Sequence, residues 1–102
     1  MGRSSRDKGL KAEREVAAIY QAAGFEVRGL ESLGDHLVMC KDGLVIHSES
    51  KRQERLQLGV WIRQAESNAA QGTVPVIAWR HSRMPWRADL ALSDLVAIVG
   101  GR

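Results

Sequence analysis

The spacing of apolar residues changes several times along the chain, and each change marks an element. From about residue 7 to 23, Ala12, Val16, Ala17, Ile19, Tyr20 and Ala23 recur at helical spacing. This predicts a first helix, capped by Ser5 or Asp7 and stopped at Gly24. Phe25 to Arg28 reads as a strand and residues 29–34 as a loop. Apolar runs at about 36–40 and 44–51 flank the polar loop Lys41-Asp42-Gly43, the signature of a hairpin. Arg52 to Gln57 is polar and reads as a turn. A second helix, about 58–70, carries Leu58, Trp61, Ile62, Ala65 and Ala69 on one stripe, with Gly72 as its stop. Val74 to Trp79 is short, apolar and β-branched, a buried strand in spite of Pro75. Trp86 to Leu92 alternates as a further strand, and Ser93 to Val99 forms a last helix or turn with Ser93 as cap. The order αβββαβ plus a final strand predicts an α/β sandwich.

The same pattern places particular side chains together. If Lys41, Asp42 and Gly43 form the loop, Cys40 faces Leu44 and the ladder sets Asp35 opposite Glu49. Cross-strand Cβ atoms lie about 5 Å apart, where like charges repel. A divalent cation between the two carboxylates would remove that repulsion. Lys51 projects from the same face, two residues beyond Glu49. On the first helix, Glu13 falls inside the apolar arc, Glu15 just outside it and Arg14 on the far side. A carboxylate on a core-facing stripe needs a partner, either a nearby Lys or Arg or a metal. The hairpin cluster offers Glu13 such a destination.

This set suits phosphodiester hydrolysis. Mg²⁺ takes hard oxygen ligands, typically one or two carboxylates with water and phosphate oxygens. Asp35 and Glu49 fit that role, with Glu13 and the Ser50 carbonyl as further candidates, and Mn²⁺ is expected to substitute. Lys51 could orient or deprotonate the attacking water or neutralise developing charge. His47 shares the Glu49 face and is either near the metal or a partly buried strand residue. Trp61 and Trp79 read as core, and Trp86, beside Pro85, as an interface residue.

Composition narrows the setting. The chain has 102 residues, room for one domain: residues 1–7 read as a flexible basic N-terminus and 8–99 as a single nuclease domain. A net charge of +3 permits a polyanionic partner without requiring one. The single cysteine, Cys40, rules out an intramolecular disulfide and an all-cysteine metal site, and reads as a small buried hydrophobe. No apolar run approaches the roughly 18 residues of a membrane span. The N-terminus lacks a signal peptide's apolar core, so a cytoplasmic protein is expected.

Lys8-Gly9 and Ala12-Glu13-Arg14-Glu15, then Gly24 to Arg28, Ser32, Asp35 and Glu49-Ser50-Lys51, carry a more specific likeness. Pro75 to Ala78 and Trp86-Arg87 extend it over residues 8 to 92. The pattern resembles the PD-(D/E)xK nuclease superfamily, most of all the archaeal-type Holliday junction resolvases and their small phage relatives. Gly34 stands where the family name has Pro, and Ser50 where a hydrophobic residue is usual. The resemblance implies a restriction-endonuclease-like αβββαβ core, a central mixed sheet flanked by helices. It implies an active site of Glu13, Asp35, Glu49 and Lys51, with Arg28 and Ser32 contacting phosphate or supporting the site.

Basic residues gather at the N-terminus (Arg3, Arg6, Lys8, Lys11, Arg14) and around the site (Arg28, Lys51, Arg52, Arg55). Such groups favour salt-sensitive, sequence-independent phosphate contacts. The expectation is therefore a Mg²⁺-dependent, structure-selective DNA endonuclease, a Holliday junction resolvase working on branched DNA as a homodimer. The rivals are a related nuclease for duplex, flap or nicked DNA, and a nucleic-acid-binding module without catalysis.

Overall fold

In a computed structural model of the chain, residues 2–30, 35–52 and 55–100 are described, residues 2–8 and 30 by their backbone alone. The hairpin forms in the expected register. Strands β2 (Asp35–Met39) and β3 (Val45–Arg52) pair antiparallel, with His36 opposite Ser48 and Val38 opposite Ile46. Lys41–Gly43 make a 3-10 turn between them, and the Cys40 N–H donates to the Leu44 carbonyl at 2.8 Å. Asp42 (φ 60°) and Gly43 (φ 77°) both adopt left-handed backbone, which Gly and Asp tolerate better than most residues. Cys40 is half-buried, and burial pushes its thiol pKa up, as suits an inert small hydrophobe.

The sheet has five strands in the order β1-β2-β3-β4-β5. β1 (Glu26–Leu30) flanks β2 antiparallel, β4 (Val74–Arg80) runs parallel to β3, and β5 (Arg87–Asp89) closes the sheet antiparallel to β4. The α/β expectation is met as a mixed sheet with helices α1 (Gly2–Ala22), α2 (Leu58–Asn68) and α3 (Leu92–Val99) flanking it. A parallel pair cannot be joined by a tight turn, and α2 supplies the crossover between β3 and β4.

The two long helices cover opposite faces. Residues paired across strands share a face, so Val38, Ser48, Val76 and Ala78 line one side. α1 covers that side with its buried Ala12 and Val16. On the other side Trp61 and Ala65 of α2 pack on Ile77, with Leu58, Ile62 and Trp79 around them. Asp35, His47, Glu49 and Lys51 belong to this second face.

α1 begins at Gly2, ahead of the Ser5 or Asp7 cap expected from sequence. Its end follows the expected stop in detail. Gly24 (φ 96°) turns the chain, its N–H donates to the Gln21 carbonyl (2.9 Å), and the Phe25 N–H donates to the Tyr20 carbonyl (3.2 Å). Tyr20 and Phe25 meet edge to face across this cap, completing a Schellman arrangement. Ile19, counted in the apolar arc, is 53% exposed, because it borders an open groove between α1 and β5. α2 ends at Asn68, before Gly72, and β5 is shorter than the alternation predicts. α3 starts at Leu92 with Ala91 rather than Ser93 in the cap position. Among the described residues no helix is long and apolar enough to cross a membrane.

Trp61 is 2% exposed at the centre of the α2–sheet core. Trp61→Ala is expected to remove about 3–5 kcal/mol of stability. Urea unfolding followed by far-ultraviolet circular dichroism measures it.

Candidate active site

The N-terminal end of β2 and the C-terminal half of β3 bring the hairpin's polar residues together. The paired ladder ends at His36 and Ser48, and its continuation sets Asp35 opposite Glu49, as the loop length requires. Both carboxylates are deeply buried, Asp35 at 3% and Glu49 at 7% exposure. Each has a partner on the same strand face. Lys51 Nζ lies 3.6 Å from Glu49 Oε2, an ion pair too long for a hydrogen bond, so that buried oxygen lacks one. His47 Nε2 lies 2.9 Å from Asp35 Oδ2.

His47 is the buried strand residue that one of its two sequence readings describes, and it lies against Asp35. It is 3% exposed, and its Nδ1 accepts the Ala70 N–H at 3.0 Å. With one nitrogen taken by Ala70 and the other by Asp35, no ring nitrogen remains for a cation. No sequence signal pointed to Ala70, which reaches His47 from the loop leaving α2.

Glu13 sits half-buried on α1, which covers the other face of the sheet. Burial raises its carboxyl pKa, the Asp35 charge raises it further, and Arg14 opposes both. The field of Asp35 therefore reaches Glu13. Glu15, two residues on, is engaged in structural contacts. Its Oε1 accepts from Trp86 Nε1 (3.0 Å) and from Arg80 at 3.4 Å. Arg80 also stacks over the Trp86 ring, 5.7 Å from its centroid. Trp86 thus ties α1 to the β4–β5 end of the sheet instead of standing free for an interface.

The Ser50 side chain points to the α1 face, away from the carboxylates, and its hydroxyl is buried without a hydrogen bond. The sequence reading concerns its carbonyl rather than its hydroxyl. The Cys40–Leu44 bond makes Ile46 and Ser48 hydrogen-bonded positions of the β2 ladder. By alternation the Ser50 N–H and C=O point to the β2 side.

The described basic residues lie around this region with differing freedom. Lys11 and Arg14 are exposed on α1, and Arg55 is exposed before α2. Arg28 is exposed on β1 but tied to Glu26 at 2.8 Å. Arg52 stands beside Arg80 across the β3–β4 pair, and among the described residues no carboxylate pairs with it. Ser32 and the Lys8 side chain lie outside the described residues.

The donor set fits a hard cation with few protein ligands. Among the described residues no three His, Cys, Asp or Glu side chains form a ready group for a metal. Asp35 Oδ1 and the Glu49 carboxylate, whose Oε2 is buried without a hydrogen bond, match the one or two carboxylates that Mg²⁺ requires. Of the two, Asp35 acts electrostatically on Glu13. Fold and site together define an α/β protein with a buried, lysine-paired carboxylate cluster on its central hairpin. No family model matches the chain, and no curated protein matches it in sequence.

The raised Glu13 pKa fixes the sign of a pH effect. Because the folded chain holds this proton more tightly than the unfolded chain, Glu13 lowers stability as pH rises through its titration. In metal-free protein, Glu13→Gln should raise the melting temperature at pH 7, and the gain should vanish below the ordinary carboxyl range. Thermal melts from acid to neutral pH measure this, and a gain that persists in acid would refute the assignment.

Proposed function

We propose that the protein is a Mg²⁺-dependent, structure-selective DNA endonuclease of the PD-(D/E)xK type, acting on four-way junctions as a homodimer. The observation that carries this reading is the burial of Asp35 and Glu49 side by side with Lys51 on the same face. Like charges directly opposite across a hairpin are destabilising, so a structural hairpin tends to avoid them.

Asp35, Glu49 and the Ser50 carbonyl would hold the cation, with Glu13 as a further candidate. When bound, Mg²⁺ would supply an acidified water and polarise a phosphate oxygen. Lys51, beside Glu49, is placed to orient the attacking water or to neutralise charge gathering on the phosphate. Water adds to phosphorus, the P–O bond to the departing sugar oxygen breaks, and that oxygen takes up a proton. Lys11, Arg14, Arg52 and Arg55 would grip neighbouring phosphates, favouring backbone and branch shape over base sequence. Cutting two strands of a symmetric junction needs two sites, which a two-fold dimer supplies. The apolar residues exposed on α3, Leu92, Leu95, Val96 and Val99, support self-association.

A second reading has its own observation. Asp35 and Glu49 already have partners in His47 and Lys51, so their repulsion is partly relieved without a cation. That favours a nucleic-acid-binding domain without cleavage.

Labelled four-way junction, linear duplex and flap DNA, each incubated with and without Mg²⁺, separate the possibilities. The expected result is Mg²⁺-dependent cutting of the junction over the duplex. Equal cutting of both rejects junction selectivity, and binding without cutting supports the second reading. Asp35→Asn and Lys51→Ala should each lower cleavage at least 100-fold while leaving junction binding nearly unchanged (on the order of losses from removing a charge-stabilising group). Glu15→Gln should instead cost about 1 kcal/mol of stability and leave cleavage intact.

A further inference from the structure

The Asp35–His47 contact has a direction that the backbone sets. A backbone N–H can only donate, so the Ala70 amide at 3.0 Å requires a lone pair on His47 Nδ1. In the neutral ring the proton then sits on Nε2, and the 2.9 Å contact is Nε2–H donating to Asp35 Oδ2. Ala70 is itself held. Its carbonyl accepts from the Thr73 N–H (3.0 Å) and from the Thr73 hydroxyl (2.5 Å). Thr73 precedes Val74, the first residue of β4. A continuous line of hydrogen bonds thus runs from the root of β4 through Ala70 and His47 to Asp35. Its last two side chains are each 3% exposed.

The two carboxylates are therefore held differently. Asp35 is fixed through Oδ2 by a buried donor, and among the described residues no hydrogen bond engages Oδ1, the oxygen left to face a ligand. Among the described residues Glu49 has the longer contact to Lys51, and its Oε2 makes no hydrogen bond. One oxygen site is rigid and the other is adjustable.

We propose that His47 is a positioning residue: its Nε2–H fixes the Asp35 carboxylate so that Oδ1 is presented to the divalent cation, and His47 itself never ligates. This rests on the reading of Asp35 as a metal ligand given above. Hydrogen-bonded partners of metal ligands characteristically set affinity through orientation, and losing one weakens metal binding about 10–100-fold.

Substitutions that keep one half of the contact separate positioning from simple packing. His47→Gln retains a donor near the Nε2 position. His47→Asn retains an acceptor near Nδ1 but cannot reach Asp35, and His47→Ala removes both. The full chain, freed of metal, is titrated with MnCl₂ by calorimetry, with melting curves to show that each variant is folded. Wild type and His47→Gln should bind within about threefold of each other, and His47→Asn and His47→Ala about 10–100-fold more weakly. His47→Asn binding as tightly as wild type overturns the proposal.

Imidazole ¹⁵N spectra of the wild type provide a readout that depends on no variant folding. They should show the Nε2–H tautomer, retained when Mg²⁺ is added and perturbed by Asp35→Asn. An Nδ1–H tautomer, or a ring nitrogen that becomes metal-bound, also overturns the proposal. Wild type that binds no Mn²⁺ defeats the metal reading of the site. The spectra then still decide whether His47 clamps Asp35.

Discussion

Burying two carboxylates on one strand face costs several kcal/mol unless other groups compensate them. Asp35 and Glu49 are both almost fully buried, and β3 supplies compensation for each. His47, Glu49 and Lys51 lie at alternate positions of that strand, so one pleat presents all three to Asp35. β3 is also the central strand of the sheet, paired on both sides. A slip of one residue in the β2–β3 pairing would send Asp35 to the opposite face from its partners. The register of this hairpin is the constraint from which the rest of the site follows.

The helices act on that hairpin from opposite sides. α2 buries Trp61 and Ala65 against Ile77, and the loop that leaves it brings the Ala70 amide to His47. α1 covers the other face, and the contacts of Glu15 with Trp86 and Arg80 fix its rotation. Residues two apart on a helix point about 200° from each other. With Glu15 committed to Trp86, Glu13 is turned to where the Asp35 charge raises its pKa. One glutamate thus orients the helix, and the other meets the field of the cluster.

Much of this was legible because it is local. The three-residue loop fixed the hairpin register, and Gly43 with Asp42 allowed the left-handed backbone that the turn needs. Period-two alternation then placed Glu49 and Lys51 on one face, and Gly24 marked the end of α1. Other features needed partners far away in the chain. The apolar arc ranks Glu13 and Glu15 without reference to Trp86 and Arg80. It also counted Ile19 as core, because helical spacing does not reveal where the covering sheet ends. Ser5 and Asp7 are good caps, yet the helix continues through both to Gly2.

The sequence by itself determined the α/β order of elements, the hairpin and its register, and the shared face of Asp35, Glu49 and Lys51. Each follows from backbone periodicity and turn chemistry acting over a few residues. Only the tertiary structure decided what those groups touch. The Ala70 amide directs His47 toward Asp35, the Glu15 contacts set the rotation of α1, and burial brings the Asp35 charge to bear on Glu13. Hydrogen-bond direction and desolvation depend on atoms that meet only when distant segments pack, and no spacing within one segment specifies them.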